Sequence, residues 1–86
     1  MLGLRWEIAS EREFYAEIGR RIRKHRRRAA MTLDQVASKE AVTRSAVSQW
    51  ERGTSHVSTY TLYRLAALFE ITPAELLPDP TAPWRS

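Results

Sequence analysis

The 86-residue sequence contains no cysteine and only two histidines, His25 and His56. Without thiols there is neither a disulfide framework nor thiolate chemistry. Two isolated histidines do not form a cluster of metal ligands, so we expect no metal site. The three glycines, Gly3, Gly19 and Gly53, are too far apart to form a phosphate-binding loop. No nucleophile–base pair is recognisable either, and we therefore expect neither a cofactor nor an enzymatic activity.

Long apolar runs are also missing. No stretch approaches the roughly 18 apolar residues that a membrane-spanning helix needs. Arg5 and Glu7 interrupt the first apolar residues, a pattern that is not typical of a signal peptide. We therefore expect a cytoplasmic protein without membrane contacts. It should form one domain with a small core, because a chain of this length buries only about 60% of its unfolded surface.

Positive charge is concentrated in one stretch of the chain. Seven of the fourteen lysines and arginines lie in residues 20–28, RRIRKHRRR, and acids outnumber bases in the rest of the sequence. The formal net charge is +4 and the isoelectric point is about 10.1. Cations at a helix end suit the helix dipole, but seven exceed what a dipole requires. We therefore favour nucleic-acid binding over a merely solvated helix end.

Capping signals at intervals along the chain predict an all-α fold. A capping residue precedes each of five predicted helices, and these residues are Ser10, Thr32, Thr43, Ser58 and Thr72. The first helix is expected over about residues 11–29 and the second from Leu33 to near Lys39. Gly53 ends the third helix, and the short fifth helix continues through Leu77.

The two ends of the sequence differ from this helical part. Apolar residues alternate at the N-terminus, at Leu2, Leu4, Trp6 and Ile8. The alternation is strand-like, but so short a run is compatible with an ordered arm or with a disordered start. Three prolines near the C-terminus predict an extended tail. We divide the chain into an arm (1–10), a helical domain (11–77) and a Pro-rich tail (78–86).

The second and third predicted helices are short, are joined by a tight turn and so indicate a helix-turn-helix. On a helical wheel with 100° per residue, one side of the third helix is polar over an arc of about 140°. The residues of this arc are Arg44, Ser45, Ser48, Gln49 and Arg52. The opposite side collects Ala46, Val47 and Trp50. Arg, Gln and Ser can hydrogen-bond the base edges of a major groove. An ordinary surface helix would present polar residues to water, but this side carries no acid that would repel phosphate, which favours DNA.

From Ile18 to Leu77 the sequence resembles the phage-repressor and Xre-type helix-turn-helix domains. The segments that carry the resemblance are IGRRIRKHR, MTLDQVA, VTRSAVSQWERG and LYRLAALFEITPAELL. The resemblance implies a compact five-helix bundle of the lambda-repressor-like type. It implies that base edges are contacted by Arg44, Ser45, Ser48 and Gln49. It implies phosphate contacts by Thr32, Leu33, Arg52, Ser55, His56, Thr59 and Tyr60. It also implies a structural salt bridge between Arg26 and Glu51.

Four residues depart from the family pattern. Leu33 replaces a usual Gln, which leaves its backbone amide for phosphate. Ala41 replaces a usual Gly in the turn, and a left-handed conformation costs a non-glycine residue about 1–2 kcal/mol, so we expect a distorted turn. Glu40 replaces an apolar residue and predicts a weak end to the second helix. His25 replaces a usual Leu, and we interpret it as a histidine at the core edge rather than a phosphate contact.

A dimer surface has to come from apolar residues that the core does not use. Family members usually dimerise and bind half-sites about one helical turn apart. The candidates are Trp6, Leu68, Ile71 and Trp84, with Leu2, Leu4, Ile8, Leu76 and Leu77 as further members. Trp6 and Trp84 fit a partner contact and a patch over the small core equally well.

Two functional hypotheses follow. The first is a sequence-specific DNA-binding transcriptional regulator, most simply a repressor that binds a palindromic operator in double-stranded DNA as a homodimer. The alternative is a protein-binding antitoxin or antiactivator that uses the same fold to sequester a partner protein. The departures at Leu33 and Ala41 and the apolar ends motivate the alternative, whereas the acid-free polar side of the third helix favours the first hypothesis.

Overall fold

The computed structural model describes residues 10–78, so residues 1–9 of the predicted arm and the tail beyond Pro78 lie outside the described residues. The described part contains four α-helices, one 3-10 turn and no strand. The α-helices are α1 (Glu11–Arg28), α2 (Leu33–Glu40), α3 (Arg44–Arg52) and α4 (Thr59–Phe69). No helix within residues 10–78 is long and apolar enough to cross a membrane.

Each α-helix begins at a side-chain cap. At α1 the Ser10 hydroxyl accepts a hydrogen bond from the Glu13 amide at 3.0 Å, and the Glu13 carboxylate accepts one from the Ser10 amide. Thr32 and Gln35 form the same reciprocal pair at α2. The hydroxyls of Thr43 and Ser58 likewise accept hydrogen bonds from the amides of Ala46 and Thr61, the third residues of α3 and α4. These bonds satisfy amides that have no partner within the helix, and so they set where each helix starts.

The prediction of five helices was wrong, because the described residues contain four. Residues Pro73–Leu76, expected to form a fifth helix, make a single 3-10 turn. The Thr72 amide still donates to the Glu75 carboxylate at 3.1 Å. Leu77 is extended, with φ −104° and ψ 137°, because the residue before a proline avoids the helical region. Too few residues then remain after Thr72 for a full α-helical turn to propagate.

The core lies between the four helices and the 3-10 turn. Its largest fully buried side chains are Ile18, Ile22, Val36, Val47, Leu65 and Leu76. Leu76 is 0% exposed, so its candidacy for the dimer surface was wrong. Leu68 and Ile71 pack against the core and are half-buried. His25 is 5% exposed. Burial, followed by the charge of Lys24, lowers the pKa of His25.

The backbones of α1 and α3 approach closely where α1 crosses the C-terminal end of α3. A Cβ atom added to Gly19 would lie against two carbonyl oxygens, that of Glu51 and, at 2.5 Å, that of Trp50. A Cβ added to Gly53 would lie 2.7 Å from the Cα atom of Ala16. Gly53 also has φ +73°, the left-handed conformation that favours glycine. The two glycines together therefore permit the crossing.

A buried ion pair joins α1 to α3 beside this crossing. The Arg26 guanidinium donates to both carboxylate oxygens of Glu51, with Nε–Oε2 2.5 Å and Nη2–Oε1 3.1 Å. Its third hydrogen bond goes to the Met31 carbonyl at 2.9 Å. The Arg26 and Glu51 side chains are 11% and 8% exposed. The pair is bidentate and largely removed from water, the geometry in which loss of one partner is most damaging.

Left-handed residues other than glycine occur at three helix ends. Ala30, Ala41 and Glu70 have φ values of 58°, 57° and 59°. The amides of Ala41 and Val42 bond the carbonyls of Ser38 and Ala37, at 3.3 and 3.0 Å. The turn between α2 and α3 is therefore well formed, and the expected distortion was wrong. Alanine adopts the glycine conformation at this position and bears the steric strain.

Glycine at position 19 is required by the α1–α3 crossing. Gly19→Ala is expected to lower the free energy of unfolding by about 1–3 kcal/mol, because the new methyl group meets rigid backbone. Alanine favours a helix over glycine by about 1 kcal/mol, so propensity alone predicts the opposite sign. Urea unfolding followed by circular dichroism distinguishes the two, and an unchanged or higher midpoint would contradict the close approach.

The left-handed turn predicts a stabilising substitution. Ala41→Gly is expected to raise the free energy of unfolding by about 0.5–1 kcal/mol. Relief of about 1–2 kcal/mol of strain outweighs the extra entropy of an unfolded glycine, about 0.4–1 kcal/mol. Ala67→Gly is the control, because Ala67 is exposed within α4 and glycine there costs about 1 kcal/mol. Losses at both positions would show that strain at Ala41 is absent.

The Arg26–Glu51 pair predicts strong coupling in a double-mutant cycle. Arg26→Met and Glu51→Leu are each expected to lower the free energy of unfolding by about 3–5 kcal/mol, because each leaves a buried charge unpaired. The double variant should lose much less than the sum. The exposed Arg44–Asp34 pair, with its atoms 3.8 Å apart, is the control, with an expected coupling of about 0–1 kcal/mol. Additive losses at 26 and 51 would rule out the coupling.

Candidate functional site

The third helix has a buried side and an open side. Val47 is fully buried, and Ala46 and Trp50 are partly buried on the same side. The polar residues of the other side differ in exposure: Arg44, Ser45 and Arg52 are exposed, and Ser48 and Gln49 are partly exposed. The hydrophobic contacts of α3 thus hold its back against the core while its polar side faces solvent.

The hydrogen bonds on the polar side of α3 are long and local. Gln49 Nε2 donates to Ser45 Oγ at 3.3 Å, and Arg52 Nε donates to the Ser48 carbonyl at 3.4 Å. Arg44 Nε lies 3.8 Å from a carboxylate oxygen of Asp34, and both side chains are mostly exposed. An arginine has five N–H donors, so both guanidiniums keep donors for a ligand. The polar side is therefore available for binding.

The N-terminus of α2 lies beside that of α3, as the Arg44–Asp34 contact shows. The Thr32 hydroxyl and amide are both occupied by Gln35. The Leu33 side chain is partly buried against the core, so only its backbone amide is suited to an anion. Asp34 places a negative charge in this first turn. A carboxylate, that of Asp34, therefore lies next to two of the predicted phosphate contacts, Thr32 and Leu33.

The predicted contacts after α3 lie in the loop and the first turn of α4. Ser55 is partly buried, whereas Thr59 and Tyr60 are exposed, Tyr60 by 69%. His56 stacks on Tyr15, with ring centroids 4.2 Å apart and an interplanar angle of 10°. The first turn of α4 contains no acid. An anion could approach this turn without electrostatic repulsion from it.

Glu40 and Arg64 form an ion pair that sequence reasoning missed. Arg64 Nε donates to Glu40 Oε1 at 2.8 Å, and Arg64 Nη1 donates to the Tyr60 hydroxyl oxygen at 3.3 Å. The bond to Glu40 raises the pKa of the Arg64 guanidinium. The Glu40 side chain is 7% exposed and α2 extends through Glu40, while the weakening of the end of α2 stays a prediction. No local signal indicates the pair, because 24 positions separate its members.

The Arg64–Tyr60 bond determines how the Tyr60 hydroxyl can act. Its oxygen accepts the hydrogen bond from Arg64, so its own hydrogen remains available for an external acceptor. The same guanidinium lies 5.8 Å from the centre of the Tyr60 ring. Glu40 and Arg64 therefore position the exposed phenol at the start of α4.

The described residues include all the predicted DNA-contacting residues but only two of the four main candidates for the dimer surface, Leu68 and Ile71. Trp50 and Tyr60 line one shallow pocket, between the back of α3 and the start of α4. Trp6 and Trp84, predicted to form part of a dimer surface, lie outside residues 10–78. Within residues 10–78, no group of histidine and acidic residues is arranged to hold a metal ion.

The chain is similar in fold and sequence to solved structures of two DNA-binding domains and a controller protein. The crystal structure of the BldD DNA-binding domain is 28% identical, with a TM-score of 0.71 over 78% of this chain and 97% of that one. The S. venezulae BldD DNA-binding domain is 28% identical, with a TM-score of 0.69 over 77% and 99%. The restriction-modification controller protein C.AhdI from Aeromonas hydrophila is 30% identical, with a TM-score of 0.68 over 73% and 96%.

No curated protein shows significant sequence similarity to the chain. The family comparison is nevertheless clear, because residues 17–78 match the helix-turn-helix domain. The matched segment contains α2, the left-handed turn at Ala41 and α3. These elements are the two helices and the turn of the helix-turn-helix. The chain therefore belongs to the helix-turn-helix domain family.

Proposed function

We propose that the protein is a sequence-specific DNA-binding transcriptional regulator in which α3 enters the major groove. The observation that carries this proposal is the acid-free polar side of α3, held outward by the buried Val47. In the groove, Arg44 and Gln49 form bidentate hydrogen bonds with guanine and adenine, respectively, and Ser45 and Ser48 contact either base. Glu51, the one acid of α3, is neutralised by Arg26.

Phosphate contacts would hold α3 in register on the duplex. The amide of Leu33, next to the cap Thr32, offers a helix N-terminus to one phosphate. Further contacts come from Arg52 at the end of α3 and, beyond α3, from Ser55, His56, Thr59 and Tyr60. The free hydrogen of the Tyr60 hydroxyl suits a phosphate oxygen, because Arg64 already occupies the lone pair that faces it.

The similar proteins support a regulatory role. Two are DNA-binding domains of BldD and one is a controller protein of a restriction-modification system. We infer that the chain acts as a repressor in the cytoplasm and binds a palindromic operator as a homodimer, since one α3 reads only a few base pairs. Leu68 and Ile71, which are half-buried, together with Trp6 and Trp84, remain the proposed dimer surface.

Base readout predicts position-specific losses. Bound sequences selected from random DNA would define the operator. Arg44→Ala is then expected to weaken operator binding by about 1–3 kcal/mol and to relax specificity at one base position. Gln49→Ala should do the same at a different position. Titration of operators with single-base changes measures both effects.

Arg12→Ala is the control for charge, because Arg12 is exposed in the first turn of α1 and lies outside the proposed interface. Any loss of binding should be small and equal for all operator sequences. If Arg44→Ala and Gln49→Ala bind every operator like the wild type, α3 does not read bases. Absence of DNA binding at low salt, together with a stable complex with a protein partner, would instead support sequestration.

The acid in the first turn of α2 predicts a variant with tighter binding. Asp34→Asn is expected to increase DNA affinity by up to about fivefold, because it removes both a competitor for Arg44 and a charge that repels phosphate. Glu70→Gln is the control, because it changes the net charge by the same amount. Glu70 lies at the C-terminal end of α4, whereas the proposed phosphate contacts Thr59 and Tyr60 lie at its N-terminal end. An equal gain from the two variants would show that only overall charge matters.

A further inference from the structure

One charged surface is not used by the proposed operator contacts. It consists of five side chains on α1 that line one shallow depression, Arg20, Arg23, Lys24, Arg27 and Arg28, and we call it the α1 basic face. Its residues fall within about 140° of arc and span about 12 Å along the helix axis. All five are exposed.

The α1 basic face points away from the contacts that α1 makes with the rest of the fold. By helical geometry it is centred about 110° from Gly19 and about 130° from Arg26, the positions that pack on α3. It is centred about 160° from the core positions Ile18 and Ile22. The α1 basic face therefore lies on a different side of α1 from the positions that pack on α3. We expect a duplex seated on α3 to leave most of this surface uncovered.

Intramolecular interactions do not account for these charges. Arg20 pairs with Glu17 at 2.6 Å, but within residues 10–78 the other four have no ion pair. The helix dipole favours cations only in the last turn, which includes Arg27 and Arg28 but not Arg23. Like charges at three- and four-residue spacings destabilise a helix. The repulsion is relieved when a polyanion lies along the helix.

The geometry fits the backbone of duplex DNA. The duplex carries one phosphate per 3.4 Å of axis on each strand, so a 12 Å row of charges spans about three to four phosphates of one strand. The positive field of this surface already reaches the buried neighbour His25, whose pKa is lowered by burial and then by Lys24.

We propose that the α1 basic face binds the phosphate backbone of a second segment of duplex DNA while α3 holds the operator. The proposal rests on the proposed function, since it requires a protein already bound through α3. It assigns the protein the ability to bridge two DNA segments without reading the sequence of the second one.

A bead-capture experiment tests the proposal. A biotinylated operator duplex is immobilised, saturated with protein and washed, and a fluorescent duplex of unrelated sequence is added at about 50 mM salt. Wild-type protein is expected to retain the second duplex. Arg23→Gln/Arg27→Gln should stay on the operator but retain severalfold less of the second duplex. For this variant, the plot of log capture against log salt should have a slope that is less steep by roughly 2, because each lost charge contributes about 0.9.

Arg12→Gln/Lys39→Gln is the matched control, because it removes two exposed positive charges elsewhere and should capture like the wild type. Equal capture by the wild type and the Arg23/Arg27 variant would overturn the proposal, and so would an equal loss in the control. The first outcome is also what bridging through two copies of α3 produces. Capture of single-stranded RNA but not of duplex would overturn the assignment to DNA.

The two proposals fail at different steps. If the wild type is not retained on the operator beads, or if the Arg44→Ala and Gln49→Ala variants are retained as well as the wild type, the proposed function fails. If the protein is held through α3 but captures no second duplex, only the bridging proposal fails. Circular dichroism of each variant should match the wild type, because every substituted side chain is at least partly exposed.

Discussion

The architecture depends on how closely α1 and α3 approach each other. Gly19 allows the α1 backbone to rest on the last carbonyls of α3, and Gly53 allows the chain to turn away against Ala16. Arg26 and Glu51 then lock the two helices across the crossing. These contacts fix the pitch of α3 relative to the core, so the direction of its polar side is determined by steric fit and by one buried ion pair.

A consequence of this arrangement is that stability and recognition use different faces of the same short helix. Val47 and Glu51 face inward, to the core and to α1, whereas Arg44 and Ser45 remain exposed. Only weak hydrogen bonds restrain the outward side chains. The polar side can therefore change in sequence, and with it the base preference, without altering the packing that orients it.

Local signals predicted much of this structure, and long-range contacts explain what they missed. The caps at Ser10 and Thr32 could be predicted from the sequence, because each hydroxyl accepts a hydrogen bond from the amide of the residue three positions later. The fifth helix was wrong because its capping pattern takes no account of Leu77, which precedes a proline and is extended. The ion pair of Glu40 was missed because its partner, Arg64, is distant along the chain. Sequence reasoning located the polar side of α3, but it could not reveal Asp34 beside Arg44.

The 3-10 turn after α4 has a consequence for how the domain is delimited. Its last residue, Leu76, is completely enclosed, and the Glu75 carbonyl accepts a hydrogen bond from Arg21 at 3.5 Å. The turn thus covers the end of the helical bundle that would otherwise be open to solvent. A fusion or truncation that keeps the bundle closed therefore has to be made beyond Pro78. Removal of residues before that point would expose the hydrophobic core to water.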